Sequence, residues 1–286
     1  HANVRLNQLL LELPGVKSIF VHPGMSDTGT ALGAALWVAG QKNGLKPLRL
    51  PNVFLGTDIT KPDIAETLAK HGLKTSHNGN IVTKIASALS QNKIVARVAG
   101  RMEYGPRALG NRSILYNCQD PGITNWLNER LDRSEFMPFA PAVMAEHASK
   151  CFHGLEGAEY TSEFMTITFY CTDWMQENCP AVVHVDGTAR PQFVTREGNP
   201  QFHEILTKYY KLTGIPVLIN TSYNIHNEPI VRTADDAVRV FKKTCLDYLA
   251  LGEHLISAEE NGLYYEGIDE KTNTEWLFEP VVTASR

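Results

Sequence analysis

Long apolar runs are missing from this sequence: nothing approaches the ~20 consecutive residues that a membrane-spanning helix needs. The start, His1-Ala2-Asn3-Val4-Arg5, has no apolar stretch of the kind a signal peptide carries. Excess positive charge is missing too. The 27 Lys and Arg against 31 Asp and Glu give a net charge of −4, so no general basic field draws in nucleic acid or an anionic membrane. Any anion site must be local. Cysteine is sparse, with five residues, no CxxC pair and no His at zinc-finger spacing. That excludes a disulfide framework and a zinc ribbon, and it implies a reduced, cytoplasmic setting with the thiols mostly in the core. An initiator Met is absent, and the expectation is a chain that begins inside a longer gene product. No internal repeat or low-complexity tract is evident.

What is present is ordinary globular composition: 286 residues, 43% hydrophobic and 20% charged, enough for one large domain or two modest ones. Apolar patterning alternates between strand and helix, which favours an α/β class. Strands are expected over Lys17 to His22, Lys93 to Ala99, Glu163 to Cys171, Ala181 to Val185, Ile215 to Ile219 and Leu246 to Leu251. Helices are expected from about Thr30 to Ala39, from Thr60 to Gly72, from Ile81 to Gln91, from Pro121 to Leu131, from Gln201 to Leu212 and from Thr233 to Lys243. Thr233 and Asp236 resemble a capping box. The weakly patterned, Pro-containing stretch from Lys46 to Thr57 reads as a linker.

The densest polar segment runs from Arg101 through Arg107 to Arg112 and Ser113, directly after an expected strand. Spacings of six and five between the arginines do not keep them on one helix face, so a loop wrapped around a polyanion explains them better. Gly105 and Gly110 allow turns that aim backbone N–H groups at a bound group. The plain alternative is a set of surface ion pairs. A second segment, His184-Val-Asp186-Gly187-Thr188-Ala-Arg190, reads as a strand feeding an Asp-Gly turn. Arg190 matters only if it converges with the first cluster. A third segment places Asn220, Thr221 and Ser222 at the carboxyl end of an apolar strand, where amide and hydroxyl groups suit a nucleotide. Arg133 stands beside a Pro/aromatic stretch, and Asp27 stands at a helix start, where a carboxylate complements the dipole.

The strings GRMEYGPRALGNRSIL, FMPFAPAV, HVDGTARPQ and LINTSYNIHNEPIV resemble, in order, the motifs of O-carbamoyltransferases of the nodulation and antibiotic-tailoring type. ANVRLNQ and HPGMSDTGTALGAAL are similar to the end of that family's other domain. The resemblance implies a YrdC-like mixed twisted sheet with flanking helices over 81–286. It also implies a strand-helix remnant of an actin-like ATPase-type transfer domain over 1–45, with linker and helix between them. It further implies that carbamoyl phosphate and ATP form carbamoyl adenylate, and that the transfer domain passes the carbamoyl group to a small-molecule alcohol.

On that basis Arg101, Arg107, Arg112 and Arg190 are expected to hold phosphates and carbamoyl phosphate. Asn3, Asn111, Ser113, Arg133, Asp186, Thr188, Asn220, Thr221 and Ser222 are expected nucleotide or substrate contacts. Asp27 matches a ligand of a divalent metal (iron, zinc or magnesium) in the full-length enzyme. The family's histidine metal ligands belong to an N-terminal portion not present here, so a C-terminal fragment is expected, with the remainder of the transfer domain as its partner. Two alternatives stand beside this reading. One is a threonylcarbamoyl-AMP synthase of tRNA modification, which would not be expected to carry GPRALGNRS or HVDGTAR. The other is a non-catalytic nucleic-acid-binding module, which the net charge of −4 disfavours.

Overall fold

Central strands of an α/β layer are covered on both faces, so they read as apolar runs without alternation. The computed structural model, which describes residues 2–44, 49–76, 80–132 and 139–265, bears this out. The first half of the chain forms helices α1 (Val4–Leu11), α2 (Thr30–Asn43), α3 (Lys61–His71) and α4 (Ile81–Ser90), strands β1 (Val95–Val98) and β2 (Arg112–Asn117), and helix α5 (Ile123–Arg130). There follow β3 (Ala140–Met144), α6 (Ala148–Cys151), β4 (Phe169–Tyr170), α7 (Asp173–Asn178), β5 (Thr188–Ala189) and β6 (Gln192–Val194). The last elements are α8 (Pro200–Thr213), β7 (Val217–Ser222), α9 (Ala234–Thr244), β8 (Tyr248–Leu251) and β9 (His254–Ser257).

Seven strands form one mixed sheet in the order β6-β3-β7-β2-β1-β8-β9. Pairs β1–β8 and β3–β6 are parallel and the others antiparallel. Every residue of β1 and β2 is buried. Helix α4 turns Ile81, Val82, Ile85, Ala86 and Leu89 inward and packs with α8 across the sheet, while α9 packs on β1 and β8 with α3 against it. Flanking helices on a mixed sheet are what the resemblance implies.

Local chemistry sets the helix ends. Thr60 and Asp63 cap α3 reciprocally, and Thr233 and Asp236 do the same for α9. Gly72 and Gly214 take left-handed conformations that close α3 and α8.

Three expected strands are not formed as expected. Lys17 to His22 is extended but joins no ladder: Ile19 N–H donates to the Gly157 carbonyl (2.9 Å) and Val21 N–H to the Thr161 hydroxyl (2.9 Å). The segment it lies against is a series of tight turns and presents no strand edge. Glu163 to Cys171 keeps only Phe169–Tyr170 as strand, because Thr161–Phe164 winds into a 3₁₀ turn. Ala181 to Val185 begins in another 3₁₀ turn, Pro180–Val182.

The N-terminal segment is anchored to the body by polar bonds. Asn7 Nδ2 donates to the Thr166 carbonyl at 2.7 Å, and the Thr168 hydroxyl donates to Gln8 Oε1 at 2.8 Å. Residues 45–48 of the expected linker and the tail 266–286 lie outside the described residues.

The strand registers decide where the polar motifs meet. Val98 faces Arg112 and Leu251, Ser113 faces Ser222, Ala140 faces Asn220, and Ala142 faces Gln192. Strands β1, β7 and β8 therefore end, and β2, β3 and β6 begin, on one rim of the sheet. The loop from Gly100 to Asn111, the turn before β6 and the Asn-Thr-Ser stretch all lie on that rim.

Candidate anion-binding site

Twelve residues, Gly100 to Asn111, lie within the connection from β1 to β2. A loop of that length needs internal partners for its N–H groups. One carboxylate oxygen supplies several of them. Glu103 Oε1 accepts from the N–H groups of Leu109 (2.7 Å), Asn111 (2.7 Å) and Arg112 (3.2 Å), and the side chain is buried. Arg97 and Arg112 supply the opposing charge. Arg97 is fully buried: it donates to the Gly110 carbonyl, to Asn111 Oδ1 (3.0 Å) and to Gln201 Oε1 (2.5 Å). Desolvation holds its pKa down at about 10, opposed by Glu103. Two carbonyls of the loop are tied to the sheet, Leu109 O by Gln192 Nε2 (2.8 Å) and Ala108 O by Asn220 Nδ2 (3.3 Å).

Two glycines make the path possible. Gly110 has φ +114° and Gly105 φ +100°. A Cβ on Gly110 would sit 2.5 Å from the Phe202 ring, and one on Gly105 would sit 2.6 Å from the Pro23 carbonyl oxygen. Gly110→Ala is therefore expected to lose about 1–3 kcal/mol of stability, read as a lower urea midpoint, because it combines a strained φ with a hard contact. An unchanged midpoint would contradict this account of the loop.

The four arginines singled out in the sequence divide into two pairs. Arg112 is completely buried and donates to the carbonyls of Ala99 (3.0 Å), Gly100 (3.0 Å), Asn111 (2.9 Å) and Thr57 (3.3 Å). Arg101 is exposed and donates to the carbonyls of Leu55 (2.7 Å) and Gly56 (3.0 Å). Both hold backbone carbonyls. Arg107 and Arg190 are not: among the described residues neither guanidinium has a hydrogen bond or ion pair, and Arg107 Nε is sequestered without a partner. Desolvation lowers the pKa of Arg107. Desolvation, followed by the nearby charge of Arg107, lowers that of Arg190 to about 9. Two partly desolvated cations therefore stand within each other's field, with no carboxylate of the described residues paired to either. Such an arrangement is costly on its own and suits a bound anion.

The other expected contacts are placed as follows. Asn111 Oδ1 accepts from Arg97 and from Asn199 Nδ2 (3.1 Å), and Ser113 Oγ accepts from Gly110 N–H (2.9 Å), so both brace the loop. Asp186 Oδ1 accepts from the N–H (3.1 Å) and hydroxyl (2.7 Å) of Thr188, a bond that lowers the Asp186 pKa and fixes the turn leading to Arg190. Desolvation lowers the pKa of His184 beside it. Thr221 and Ser222 are half-buried at the end of β7, where Ser222 Oγ donates to Asn224 Oδ1 (2.6 Å); Asn220 is fully buried. Asn3 is exposed and caps α1. Arg133 lies outside the described residues.

Asp27 is exposed in the 3₁₀ turn Ser26–Gly29, joined to the arginine loop by Tyr104, whose Oη donates to the Thr28 carbonyl (3.0 Å). Among the described residues no group of three or more His, Cys, Asp or Glu is placed to hold a metal. His22, an imidazole nearby, accepts from Gly24 N–H through Nδ1 (3.1 Å). The described residues do not fit a divalent metal by themselves.

Sequence reasoning missed Glu103, Arg97 and Gln192. Arg97 carried a signal, since a charge in the middle of the apolar run KIVARVA demands a buried partner. Among the described residues no helix is long and apolar enough to cross a membrane.

Comparison with known proteins places this rim in context. The family model "Carbamoyltransferase C-terminus" matches residues 86–258, which carry the arginine loop, Arg190 and β7. A nodulation protein NolO of Bradyrhizobium diazoefficiens is 35% identical over 260 residues, covering 89% of this chain and 47% of that protein. A nodulation protein NolNO of Sinorhizobium fredii is 36% identical over 259 residues, covering 89% of this chain and 38% of its own length. The chain thus spans less than half the length of these relatives. Among solved structures, a full-length HypF in a phosphate- and nucleotide-bound form aligns with a TM-score of 0.42 and 17% identity, covering 63% of this chain and 22% of that one. That likeness is too distant to carry an argument about fold or site. The match over more than half of its residues, together with these relatives, shows that the chain belongs to the carbamoyltransferase C-terminus family.

Proposed function

We propose that this chain is the carbamoyl-activating portion of an ATP-dependent O-carbamoyltransferase. In that reading carbamoyl phosphate, water and ATP give carbamoyl adenylate, phosphate and pyrophosphate, and the remainder of the transfer domain passes the carbamoyl group to a small-molecule alcohol. The observation that carries the reading is the partly desolvated couple Arg107 and Arg190, unpaired among the described residues, on the rim where the family's motifs meet.

Forming a mixed anhydride on ATP crowds anionic oxygens together. Guanidinium groups fixed in a dry setting offset that repulsion in the ground state, and they stabilise the charge that grows as pyrophosphate leaves. Thr221 and Ser222, at the half-buried end of β7, are proposed nucleotide contacts. Arg101, Arg112, Asn111, Ser113, Asp186 and Thr188 act through position, by shaping the loop and turn that hold the arginine pair.

Exposed apolar side chains on the N-terminal helices support the proposed partner. Helix α2 buries none of its residues, Trp37 is 65% exposed, and Leu6, Leu9 and Leu13 of the first segment are about half exposed. A covering protein surface, such as the remainder of a transfer domain, would satisfy them.

ATP–pyrophosphate exchange tests the reading. Exchange is expected when carbamoyl phosphate is supplied and is not expected when threonine and bicarbonate replace it. Exchange driven by threonine and bicarbonate alone would overturn the assignment in favour of a threonylcarbamoyl-AMP synthase.

A further inference from the structure

Beneath the arginine loop lies a buried acceptor whose role the arginines do not explain. Asn220 is 1% exposed, and its Oδ1 has no hydrogen-bond partner among the described residues. The orientation of this amide is not arbitrary. Its Nδ2 donates to Gln192 Oε1 (2.7 Å) and to the Ala108 carbonyl (3.3 Å), both of which are acceptors. Gln192 is fixed in turn, because its Nε2 donates to the Leu109 carbonyl (2.8 Å). Flipping either amide would set oxygen against oxygen, so Oδ1 is held as an acceptor that lacks a donor. A buried acceptor left unmade is costly, which points to a donor that arrives with a ligand.

The residue tethered by Asn220, Ala108, directly follows Arg107, whose own Nε is a buried donor without a partner among the described residues. One unfilled acceptor and one unfilled donor thus belong to groups joined by a single peptide link and one hydrogen bond. A carbamoyl group, an amine and a carbonyl oxygen on one planar carbon, offers the complement: two N–H donors on one side and a carbonyl acceptor on the other.

We propose that Asn220 Oδ1 accepts an N–H from the amine of carbamoyl phosphate and so selects a carbamoyl over an acyl phosphate. The selectivity rests on the reading that carbamoyl phosphate binds at the arginine pair. Acetyl phosphate has nearly the same shape, with a methyl in place of the amine; bound there it would leave Oδ1 unsatisfied. A site built to bond a polar group rejects the isostere that lacks it.

Calorimetric titration of the chain with carbamoyl phosphate, acetyl phosphate and inorganic phosphate tests this. The wild-type protein is expected to prefer carbamoyl over acetyl phosphate by about tenfold to a hundredfold, as befits one buried acceptor. Asn220→Ala is expected to bring that ratio close to one.

Equal wild-type affinities for the two acyl phosphates, or an undiminished ratio in Asn220→Ala, would overturn the proposal while leaving the anion site standing. Failure to bind any of the three anions would instead remove the arginine-pair reading and this inference together. The wild-type ratio needs no substitution, so a variant that fails to fold does not shield the proposal.

Discussion

Arg190→Met is expected to lower carbamoyl-phosphate-dependent ATP–pyrophosphate exchange by about a hundredfold or more, while the unliganded protein melts at the same temperature or higher. Arg107→Met should behave alike. A fixed donor facing developing charge is typically worth ~3 kcal/mol of barrier, and about 1.4 kcal/mol is a factor of ten in rate. The stability half of the prediction has the opposite sign because both guanidiniums are desolvated and, among the described residues, unpaired. The folded-state pKa of Arg190 lies below its unfolded value, at about 9, so folding disfavours its proton. That cost is fully present below about pH 9 and fades as the pH rises from there toward the ordinary guanidinium value. At pH 7 it is complete, and replacing the cation by an apolar side chain of similar length removes it. Loss of activity together with loss of stability would show that Arg190 holds the fold rather than a ligand. A site strained in this way trades stability for binding, and a bound anion should restore the balance by mass action.

Glu103→Ala is expected to cost about 3–5 kcal/mol of stability, read from the urea midpoint. It removes the carboxylate whose charge offsets those of the buried Arg97 and Arg112, and each buried polar group left without its partner costs about 1–3 kcal/mol. Three backbone N–H groups also lose their acceptor. Glu103→Gln keeps an oxygen for those N–H groups and should lose less. A midpoint within error of the parent for Glu103→Ala would mean that the loop is shaped by something other than this carboxylate.

Much of the fold could be read from the chain because its signals are local. The Thr60–Asp63 and Thr233–Asp236 pairs cap their helices reciprocally, and Gly72 and Gly214 stop theirs in left-handed turns. Strands β1, β7 and β8 appear where apolar runs stand between turn residues. Strand β3 was not legible, because Pro141 lies in it, and proline within an apolar run argues against an interior strand. Its position resolves the conflict: the ladder to β6 begins one residue later, at Ala142. The failed strand over Lys17 to His22 shows the converse, since an apolar run becomes a strand only when a neighbour offers an edge.

The candidate site was legible as a neighbourhood and not as a set of roles. Arg101, Arg107, Arg112 and Arg190 look equivalent in sequence, and spacing could not divide them. What separates them is how many backbone carbonyls the folded loop brings within reach of each. Arg112 finds four and Arg101 two, while Arg107 and Arg190 find none among the described residues. That difference exists only after Glu103 has turned the loop and Gln192 and Asn220 have tied it to the sheet.

An anion site formed by Arg107 and Arg190 together should be read out by calorimetric titration with pyrophosphate. Saturable one-site binding to the parent chain is expected, weakened about tenfold to a hundredfold by Arg107→Met and by Arg190→Met through the loss of a charge-assisted contact. Affinity that is the same in both variants as in the parent, or no binding to the parent at all, would contradict it.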